Sequence, residues 1–407
     1  MSDDPGGFMS ASAVPPRASV ADVEAADLAE RAAALLDDGH RLALVAAAPQ
    51  RVVYLFTRPA ADGEPERRAE LHVRPGVVPP SLAALSLPAG RFERRAGRDG
   101  RAELFHGRLP ADALPLAERV GADAAVGHAL AFCLAVEDAA GVGVSPGVQR
   151  SRAVLLELER LGNHVADLGA LCDEAGRPVL GARFARVRET LLRLNVRVTG
   201  HRLLRGGVLL GGAVLRAVPD PRLLAAIEAD VEEIADLALA DTAVAGRFTG
   251  TAPLGRAAAR DLGALGCVAR ASGLDVDARR DHPFTDLRPT LAVATALHGD
   301  VLARFRIRVR EIAASVALVD DLTYGMNPGL TSYWPPLAPG HGPASGIGIV
   351  EGWRGTIVHR VELAADGALV RDTIVDPSFF NRPALPVALA GALAADVLLV
   401  TRSFNLS

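Results

Sequence analysis

The sequence predicts an α+β fold, in which a small N-terminal α/β domain precedes a mainly helical bundle with a small C-terminal antiparallel sheet. Three observations lead to this prediction. Short β-like runs lie between residues 41 and 73, apolar residues recur at helical spacing from about residue 114, and an Asp-Gly turn joins two β-like runs near the end. Half of the 407 residues are apolar, which is typical of a folded chain with a substantial core.

The N-terminal domain is expected to cover residues 17–110. Residues 1–16 are rich in glycine, proline and serine and are expected to be disordered. An alanine-rich pattern with spaced acidic residues predicts a helix over Ser19–Leu36, ended by Asp38 and Gly39. The predicted strands that follow are Arg41–Ala46, Arg51–Thr57 and Ala69–Val73. One helix with several short strands is typical of an α+β domain.

The second domain is expected to cover residues 111–407. Asp220 and Pro221 have the residue types favoured at the N-cap and first position of a helix. The glycine pairs of RGGVLLGG, residues 205–212, predict a tight turn or a close backbone approach, and the missing GxxxxGK pattern excludes a phosphate loop. The predicted helices are Glu118–Ala140, Val148–Cys172, Ala182–Leu204, Asp220–Ala243 and His298–Leu322. The predicted C-terminal strands are Gly346–Glu351, Thr356–Leu363 and Ala368–Val375, with a hairpin turn at Asp366-Gly367.

Composition excludes several classes of protein. The net charge is only −4, which argues against nucleic acid as a partner, and all 44 basic residues are arginine. Three scattered cysteines without a CxxC pair predict neither a disulfide framework nor a zinc or iron–sulfur site, and they fit a reducing cytoplasm. The first residues lack the features of a signal peptide, and the apolar run Ala384–Ala395 is too short to span a bilayer.

Four polar residues share one face of a predicted helix: Arg160, Asn163, His164 and Asp167. Such a set forms either a solvated stripe or a buried polar network, and the apolar remainder of the helix favours the buried network.

Two further segments are dense in charge. Residues 264–284 predict a buried loop tied down by its own side chains, and they include Arg270, Ser272, Asp277, Arg279, Asp281 and His282. Asp300, Arg304, Arg308 and Glu311 line one helix face as a charge ladder, for which a surface position is the ordinary expectation. No HExxH or EF-hand motif is present, so spacing alone leaves the function open.

Taken together, eight segments resemble, in order and wording, the 49 kDa subunit of complex I and the large subunit of group 4 (hydrogenase-3-type) nickel–iron hydrogenases. The resemblance covers about Glu118 to Ser407 and implies a nickel–iron hydrogenase large-subunit-like fold. Residues 81–107 resemble, more weakly, the end of the complex I 30 kDa subunit. The eight segments are ERVGADAAVGHALAF, ELERLGNHVADLGALCDEAG, RLNVRVTGHRLLRGGVLLGG, ARASGLDVDARRDHPF, HGDVLARFRIRVREI, EGWRGTIVH, DPSFFNRPAL and RSFNLS.

The resemblance also implies that this chain holds no nickel–iron centre. The hydrogenases bind the metals through four thiolates, because such a centre requires soft ligands. Gly121 and Ala124 stand at the first two ligand positions and Ser407 at the third, and the sequence ends before the fourth. We therefore expect no cofactor bound by this chain, and an iron–sulfur cluster in a partner subunit.

Complex I lacks the same cysteines and binds quinone in the vacated cavity, so quinone is the ligand that the resemblance suggests. Only Arg108–Ala117 lie between the segment that ends at Gly107 and the motif that begins at Glu118, so the segment that carries the quinone-contacting histidine in complex I is missing or shortened. The candidates for a quinone cavity or for coupling are Arg119, His128, His164, Arg354 and Asp376. A structural polar network is expected from Arg160, Asn163, Asp167, Arg270, Asp277, Arg279, Asp300 and Arg304.

Three functional hypotheses remain open. The first is a non-metal subunit of a membrane-associated complex, packed against a small iron–sulfur subunit and membrane-arm subunits. The second is a catalytic subunit that reduces quinone, and the third is a binding or scaffold protein that keeps only the fold. The first two imply a cytoplasmic protein, peripheral on the inner face of the cell membrane. NAD binding is implied only by the family resemblance, because the sequence contains no GxGxxG element.

Overall fold

A four-stranded sheet forms the N-terminal part of the molecule, with strand order β1-β4-β3-β2. β1 runs parallel to β4, and the other neighbours are antiparallel. The strands are β1 (Ser19–Val23), β2 (Arg41–Ala48), β3 (Arg51–Arg58) and β4 (Arg67–Val73), and the helices are α1 (Leu28–Asp37) and α2 (Leu87–Arg95). The structure, a computed structural model, describes residues 17–48, 51–61, 64–74, 79–95, 104–332 and 342–407, so the expected disorder of residues 1–16 lies outside it.

The helix predicted over Ser19–Leu36 is wrong in its first part. Ser19–Val23 form β1, which pairs in register from Ser19 with Ala69 to Val23 with Val73. Helix α1 starts only at Leu28 and buries Leu28 and Ala32. Pairing with a strand about fifty residues away therefore overrides the local helical pattern, because tertiary contacts outweigh propensity.

The bundle contains the five long helices at the predicted places, although their ends differ. Asp220 caps its helix by accepting from the Arg222 N–H at 2.9 Å, with Pro221 at the first position, as predicted. The helices are α3 (Pro110–Ala117), α4 (Ala125–Ala140), α5 (Pro146–Glu174), α6 (Pro178–Thr199), α7 (Pro221–Ala240), α8 (Thr242–Phe248), α9 (Arg256–Asp261), α10 (Gly266–Ala271), α11 (Ala278–Asp281), α12 (Val301–Thr323), α13 (Ser378–Asn381), α14 (Ala384–Leu389) and α15 (Val397–Phe404). None of the helices in the described ranges is long and apolar enough to reach across a bilayer.

The helix predicted over Glu118–Ala140 is interrupted. Its first residues form a turn after α3, and α4 begins at Ala125. The carboxylate of Glu159, on α5, accepts hydrogen bonds from the Val126 and Gly127 N–H groups at 2.6 and 3.0 Å. These two donors have no partner within their own helix, so Glu159 fixes where α4 starts.

Two small antiparallel sheets complete the fold. The glycine-rich turn predicted at residues 205–212 is the hairpin of β5 (Val208–Leu209) and β6 (Gly212–Leu215), which pairs with β7 (Gly329–Ser332). The C-terminal sheet has the order β10-β9-β8, with β8 (Ala344–Gly352), β9 (Gly355–Leu363) and β10 (Leu369–Val375). Its three strands confirm the C-terminal prediction.

The C-terminal sheet lies between the N-terminal sheet and helix α4. Ile347, Ile349 and Val358 share a buried cluster with the N-terminal sheet. On the α4 side, an ideal Cβ at Gly348 would lie 1.9 Å from the Ala131 carbonyl oxygen, and one at Gly346 would lie 2.2 Å from that of Ala135. Helix and strand therefore approach more closely than any side chain allows.

Gly348→Ala should lower the free energy of unfolding by about 1–3 kcal/mol or more, because the added methyl group must displace the α4 backbone. The matched control is Gly143→Ala, since an ideal Cβ at Gly143 meets nothing within 4 Å. Chemical denaturation of both variants measures the difference. Equal stabilities would mean that strand β8 and helix α4 are not packed this closely.

Candidate functional site

The ligand positions inferred from the resemblance lie together in space. Gly121 and Ala124 occupy the turn between α3 and α4, and an ideal Cβ at Gly121 would lie 3.0 Å from the His128 ring. His128 Nε2 lies 3.4 Å from Asp376 Oδ2. Ser407 Oγ donates to Asp376 Oδ1 at 3.0 Å. The fold thus gathers around His128 and Asp376 the positions that the resemblance matches to thiolate ligands.

The residues present do not fit a nickel–iron centre. A hydrogen atom, a methyl group and a hydroxyl group replace the thiolates at Gly121, Ala124 and Ser407. The three cysteines are buried, and burial raises the pKa of the Cys172 thiol to about 12 and that of Cys267 to about 11. Within the described ranges, no group of three or more histidine, cysteine, aspartate or glutamate side chains could hold a metal ion.

Hydrogen bonds to the main chain hold residues 403–407 in the site. Arg308 donates to the Ser403 carbonyl oxygen at 2.8 Å, and Arg354 donates to that of Asn405 at 2.6 Å. Arg382 donates to the Ser407 carbonyl oxygen at 2.5 Å. Charged donors make strong hydrogen bonds, so these three arginines position the segment without any metal.

Asp376 belongs to a tight turn that leads into α13. Its Oδ1 accepts from the Ser378 N–H at 2.7 Å, and the Ser378 and Ser407 hydroxyls lie 2.8 Å apart. Burial alone would raise the pKa of Asp376, but the neighbouring His128 and Ser378 outweigh burial and hold that pKa below its ordinary range. Asp376 is therefore an ionised carboxylate at neutral pH.

A pair of buried histidines extends inward from Asp376. His128 Nδ1 lies 3.0 Å from His359 Nε2, and His359 Nδ1 lies 2.9 Å from Asp372 Oδ2. All three side chains are fully buried or nearly so. Burial lowers the pKa of His128 and outweighs the opposing effect of the nearby Asp376 carboxylate, so the neutral imidazole is favoured.

This chain of groups has room for one more proton. Suppose that both imidazole rings are neutral, with His359 Nδ1 donating to Asp372 and His128 Nδ1 donating to His359 Nε2. His128 Nε2 then carries no proton, and its lone pair faces Asp376. Consistent with this assignment, neither His128 Nε2 nor Asp376 Oδ2 has a hydrogen-bond partner among the described residues. A proton delivered to Nε2 would bridge the 3.4 Å between these two atoms. The arrangement can therefore accept and hold a proton at a defined place.

Glu311 is the centre of a buried charge network behind the histidines. Its carboxylate accepts from Arg270 Nε at 2.8 Å, lies 2.7 Å from His164 Nε2, and lies 3.7 Å from Arg160. Burial alone would raise the pKa of Glu311, but Arg270 and His164 outweigh burial and hold it well below its ordinary range. Arg270 also donates to Glu351 at 2.8 Å. One carboxylate thus joins α5, α10 and α12.

The network continues through residues 264–284. Asp277 accepts two bonds from Arg279 at 2.9 and 2.6 Å, and Arg279 also contacts Glu157 at 3.1 Å. Glu157 in turn pairs with Arg160 at 3.1 Å. The predicted loop is tied down by its own side chains, as expected, although two short helices, α10 and α11, form within it.

The surface position expected for the ladder Asp300, Arg304, Arg308 and Glu311 is wrong. All four are at most 3 % exposed, because α12 runs through the middle of the bundle. Arg308 pairs with Asp167 at 2.8 Å, whereas Arg304 donates to the Ser403 hydroxyl at 2.9 Å and to carbonyl oxygens. The same spacing of charged residues occurs on buried and on exposed helix faces, so the sequence pattern alone could not distinguish the two positions.

Three other predicted residues lie at the margin of the site or outside it. Arg119 is exposed and donates to the Pro115 carbonyl oxygen at 2.9 Å, so it does not line the site. Arg354 does reach it, because it pairs with Asp123 at 2.5 Å while holding Asn405. Asn163 is only partly buried and donates to the Asp123 carbonyl oxygen at 2.8 Å.

A basic cleft opens beside Asp376 and Ser407, between α2 and the segment around α13. It has a volume of about 510 Å³. We call it the arginine cleft, because four arginines line it: Arg91, Arg94, Arg95 and Arg382. Sequence reasoning missed these residues, as it missed His359 and Asp372. His359 lies within the EGWRGTIVH segment, Arg382 within DPSFFNRPAL and the other three arginines within residues 81–107, but the resemblance assigned none of them a role.

Glu311→Gln should lower the free energy of unfolding by about 3–5 kcal/mol, because it removes the buried negative charge that neutralises Arg270 together with Glu351. The control is Glu233→Gln, which breaks an exposed pair with Arg183 and should cost about 0–1 kcal/mol. Denaturant titration at neutral pH measures both changes. A loss at Glu311 as small as that at Glu233 would contradict the central place given to this carboxylate.

Comparison with known proteins agrees with the resemblance found in the sequence. Residues 180–334 match the family model described as the 49 kDa subunit of the respiratory-chain NADH dehydrogenase. Formate hydrogenlyase subunit 5 of Escherichia coli is 30% identical over 304 residues, which cover 71% of this chain and 52% of that protein. The chain therefore spans about half the length of this relative.

Two further relatives are covered over more of their length. The carbon monoxide-induced hydrogenase of Rhodospirillum rubrum is 27% identical, over 71% of this chain and 82% of the relative. NADH-quinone oxidoreductase subunit 4 of Thermus thermophilus is 27% identical, over 68% of this chain and 76% of the relative. Over the matched segments the chain is thus similar to the complex I 49 kDa subunit and to the related hydrogenase large subunits.

Proposed function

We propose that the chain is a subunit of a membrane-associated oxidoreductase complex, related to complex I and to the hydrogenases, that works without a nickel–iron centre. Its relatives are named as subunits of formate hydrogenlyase and of NADH-quinone oxidoreductase. The proposal rests above all on the cluster at Asp376. Where the hydrogenases carry thiolates, hydrogen bonds among Asp376, Ser378 and Ser407 hold the site together.

The chemical role we propose is proton transfer or structural coupling. The chain from Asp376 through His128 and His359 to Asp372 supports a proton-holding role, because one position between the first two groups lacks its hydrogen bond. The charge network at Glu311 adjoins the site through Arg308, Asp167 and Asn405, so a change of charge at the site would alter packing in the bundle. A shift of this kind needs no metal in this chain.

The partners proposed are a small iron–sulfur subunit, which would carry the electrons, and membrane-arm subunits. The complex would lie at the inner face of the cell membrane, with no nucleic acid among its partners. A scaffold that keeps only the fold is the alternative, and it predicts a protein without such partners.

Affinity purification of the natively expressed chain tests this proposal. We expect an iron–sulfur subunit and antiporter-like membrane subunits to co-purify, and elemental analysis should find iron but no stoichiometric nickel in the complex. Mass spectrometry identifies the partners. A chain that purifies alone under gentle detergent conditions would support the scaffold alternative, and one nickel atom per chain would overturn the proposed absence of the metal centre.

A quinone is the second candidate, as a substrate reduced near His128 and Asp376. The observation in its favour is Asp376 Oδ2, a polar atom without a hydrogen-bond partner among the described residues that lies in the wall of a cleft large enough for a small molecule, with His128 Nε2 behind it at 3.4 Å. A quinone carbonyl oxygen could accept a hydrogen bond from a protonated His128.

A photoreactive quinone analogue tests this candidate in the assembled complex. We expect labelled peptides from the segments around His128 or Asp376, and less labelling when unmodified quinone competes. His201→Gln serves as the control for His128→Gln, because His201 is an exposed histidine elsewhere in the bundle. Labelling that is absent, or that persists unchanged in the His128 variant, would count against quinone chemistry at this place.

A further inference from the structure

The arginine cleft gathers positive charge at one edge of the site. Arg91, Arg94 and Arg95 project from α2, and Arg382 follows α13 on the opposite side. These two elements belong to opposite ends of the chain, so the cleft exists only in the folded molecule. Its volume of about 510 Å³ lies within the range of small-molecule sites.

Two of the four guanidinium groups, those of Arg91 and Arg382, are held in place. Arg91 donates to the Phe379 carbonyl oxygen and lies 4.4 Å above the Phe379 ring centroid. The same ring stacks on Phe92 at 4.2 Å, which fixes it against α2. Arg382 donates to the Ser407 carbonyl oxygen at 2.5 Å. Because these side chains are already ordered, a ligand that contacts them loses little binding free energy to their immobilisation.

Two of the cleft arginines, Arg91 and Arg94, have no carboxylate partner among the described residues, whereas arginines of the core such as Arg152 and Arg360 are paired with carboxylates. Burial lowers the pKa of Arg91 to about 10, and its arginine neighbours act in the same direction. Like charges held together at an electrostatic cost are typical of sites that receive an opposite charge.

We propose that the arginine cleft binds a small molecule through a phosphate or carboxylate group. The planar guanidinium fork matches both oxyanions with two parallel hydrogen bonds. Asp376, on the inner wall, repels an anion, so the oxyanion would lie on the arginine side and hydrogen-bond donors of the ligand would face Asp376. A neutral quinone would leave the positive charges uncompensated, so this ligand is distinct from the quinone candidate.

Isothermal titration calorimetry on the purified full chain tests the inference, with pyrophosphate and citrate as probes at constant ionic strength. At least one probe should bind, and its affinity should fall as salt is added. Arg91→Gln and Arg382→Gln should each weaken binding about tenfold or more, since each removes charged hydrogen bonds. Arg222→Gln, which changes an exposed arginine on α7 away from the cleft, should leave the affinity unchanged. The preferred probe distinguishes a phosphate ligand from a carboxylate one.

Three outcomes would overturn the inference. The first is a folded wild-type chain that binds neither probe, and the second is equal affinity in the wild type and Arg382→Gln. Arg382 is exposed, so its variant tests binding without disturbing the core, and thermal unfolding of each variant verifies folding. The third is loss of a partner subunit from the complex in the arginine variants without anion binding, which would make the cleft a protein interface. Calorimetry uses the isolated chain, so its result is independent of whether partners co-purify.

Discussion

The bundle depends on mutual neutralisation of buried charges around Glu311. Arg160, Arg270 and Arg279 lie in the core with Glu157, Asp277, Glu311 and Glu351, and each of these side chains is at most 3 % exposed. A charge in such surroundings is tolerable only beside an opposite charge and with its hydrogen bonds made. The segments that carry these residues can therefore meet in only one arrangement. That arrangement also sets the position of β8, because Arg160 holds the Glu351 carbonyl oxygen at 2.6 Å.

The same constraint explains which parts of the fold could be predicted. The long helices follow from local periodicity, and Asp220 with Pro221 marks a boundary by residue type alone. Strand β1 could not be predicted, because its stability comes from pairing with β4, far along the chain. The break before α4 depends on Glu159 of another helix. Interactions between distant residues leave no periodic signal in either segment.

The candidate site was predictable in one part and hidden in another. The DPSFFNRPAL and RSFNLS segments pointed to Asp376 and Ser407 through resemblance, and the structure places their side chains 3.0 Å apart. The partner histidine His359 and the four arginines of the cleft come from separate elements, so only the tertiary structure brings them together. Arg304 and Arg308 show that a local pattern can also mislead, because charged residues at helical spacing were expected at the surface and lie in the core.

The anchoring of residues 403–407 through carbonyl oxygens has a consequence for how such a site can change over time. Arg308, Arg354 and Arg382 donate hydrogen bonds to main-chain carbonyl oxygens, which every residue type possesses. The position of the segment is therefore largely independent of the side chains it bears. A lineage could replace a metal-binding residue there by serine, and the backbone would remain where it was. Loss of metal binding therefore need not disrupt the fold, and the folded site remains able to acquire a different chemical role.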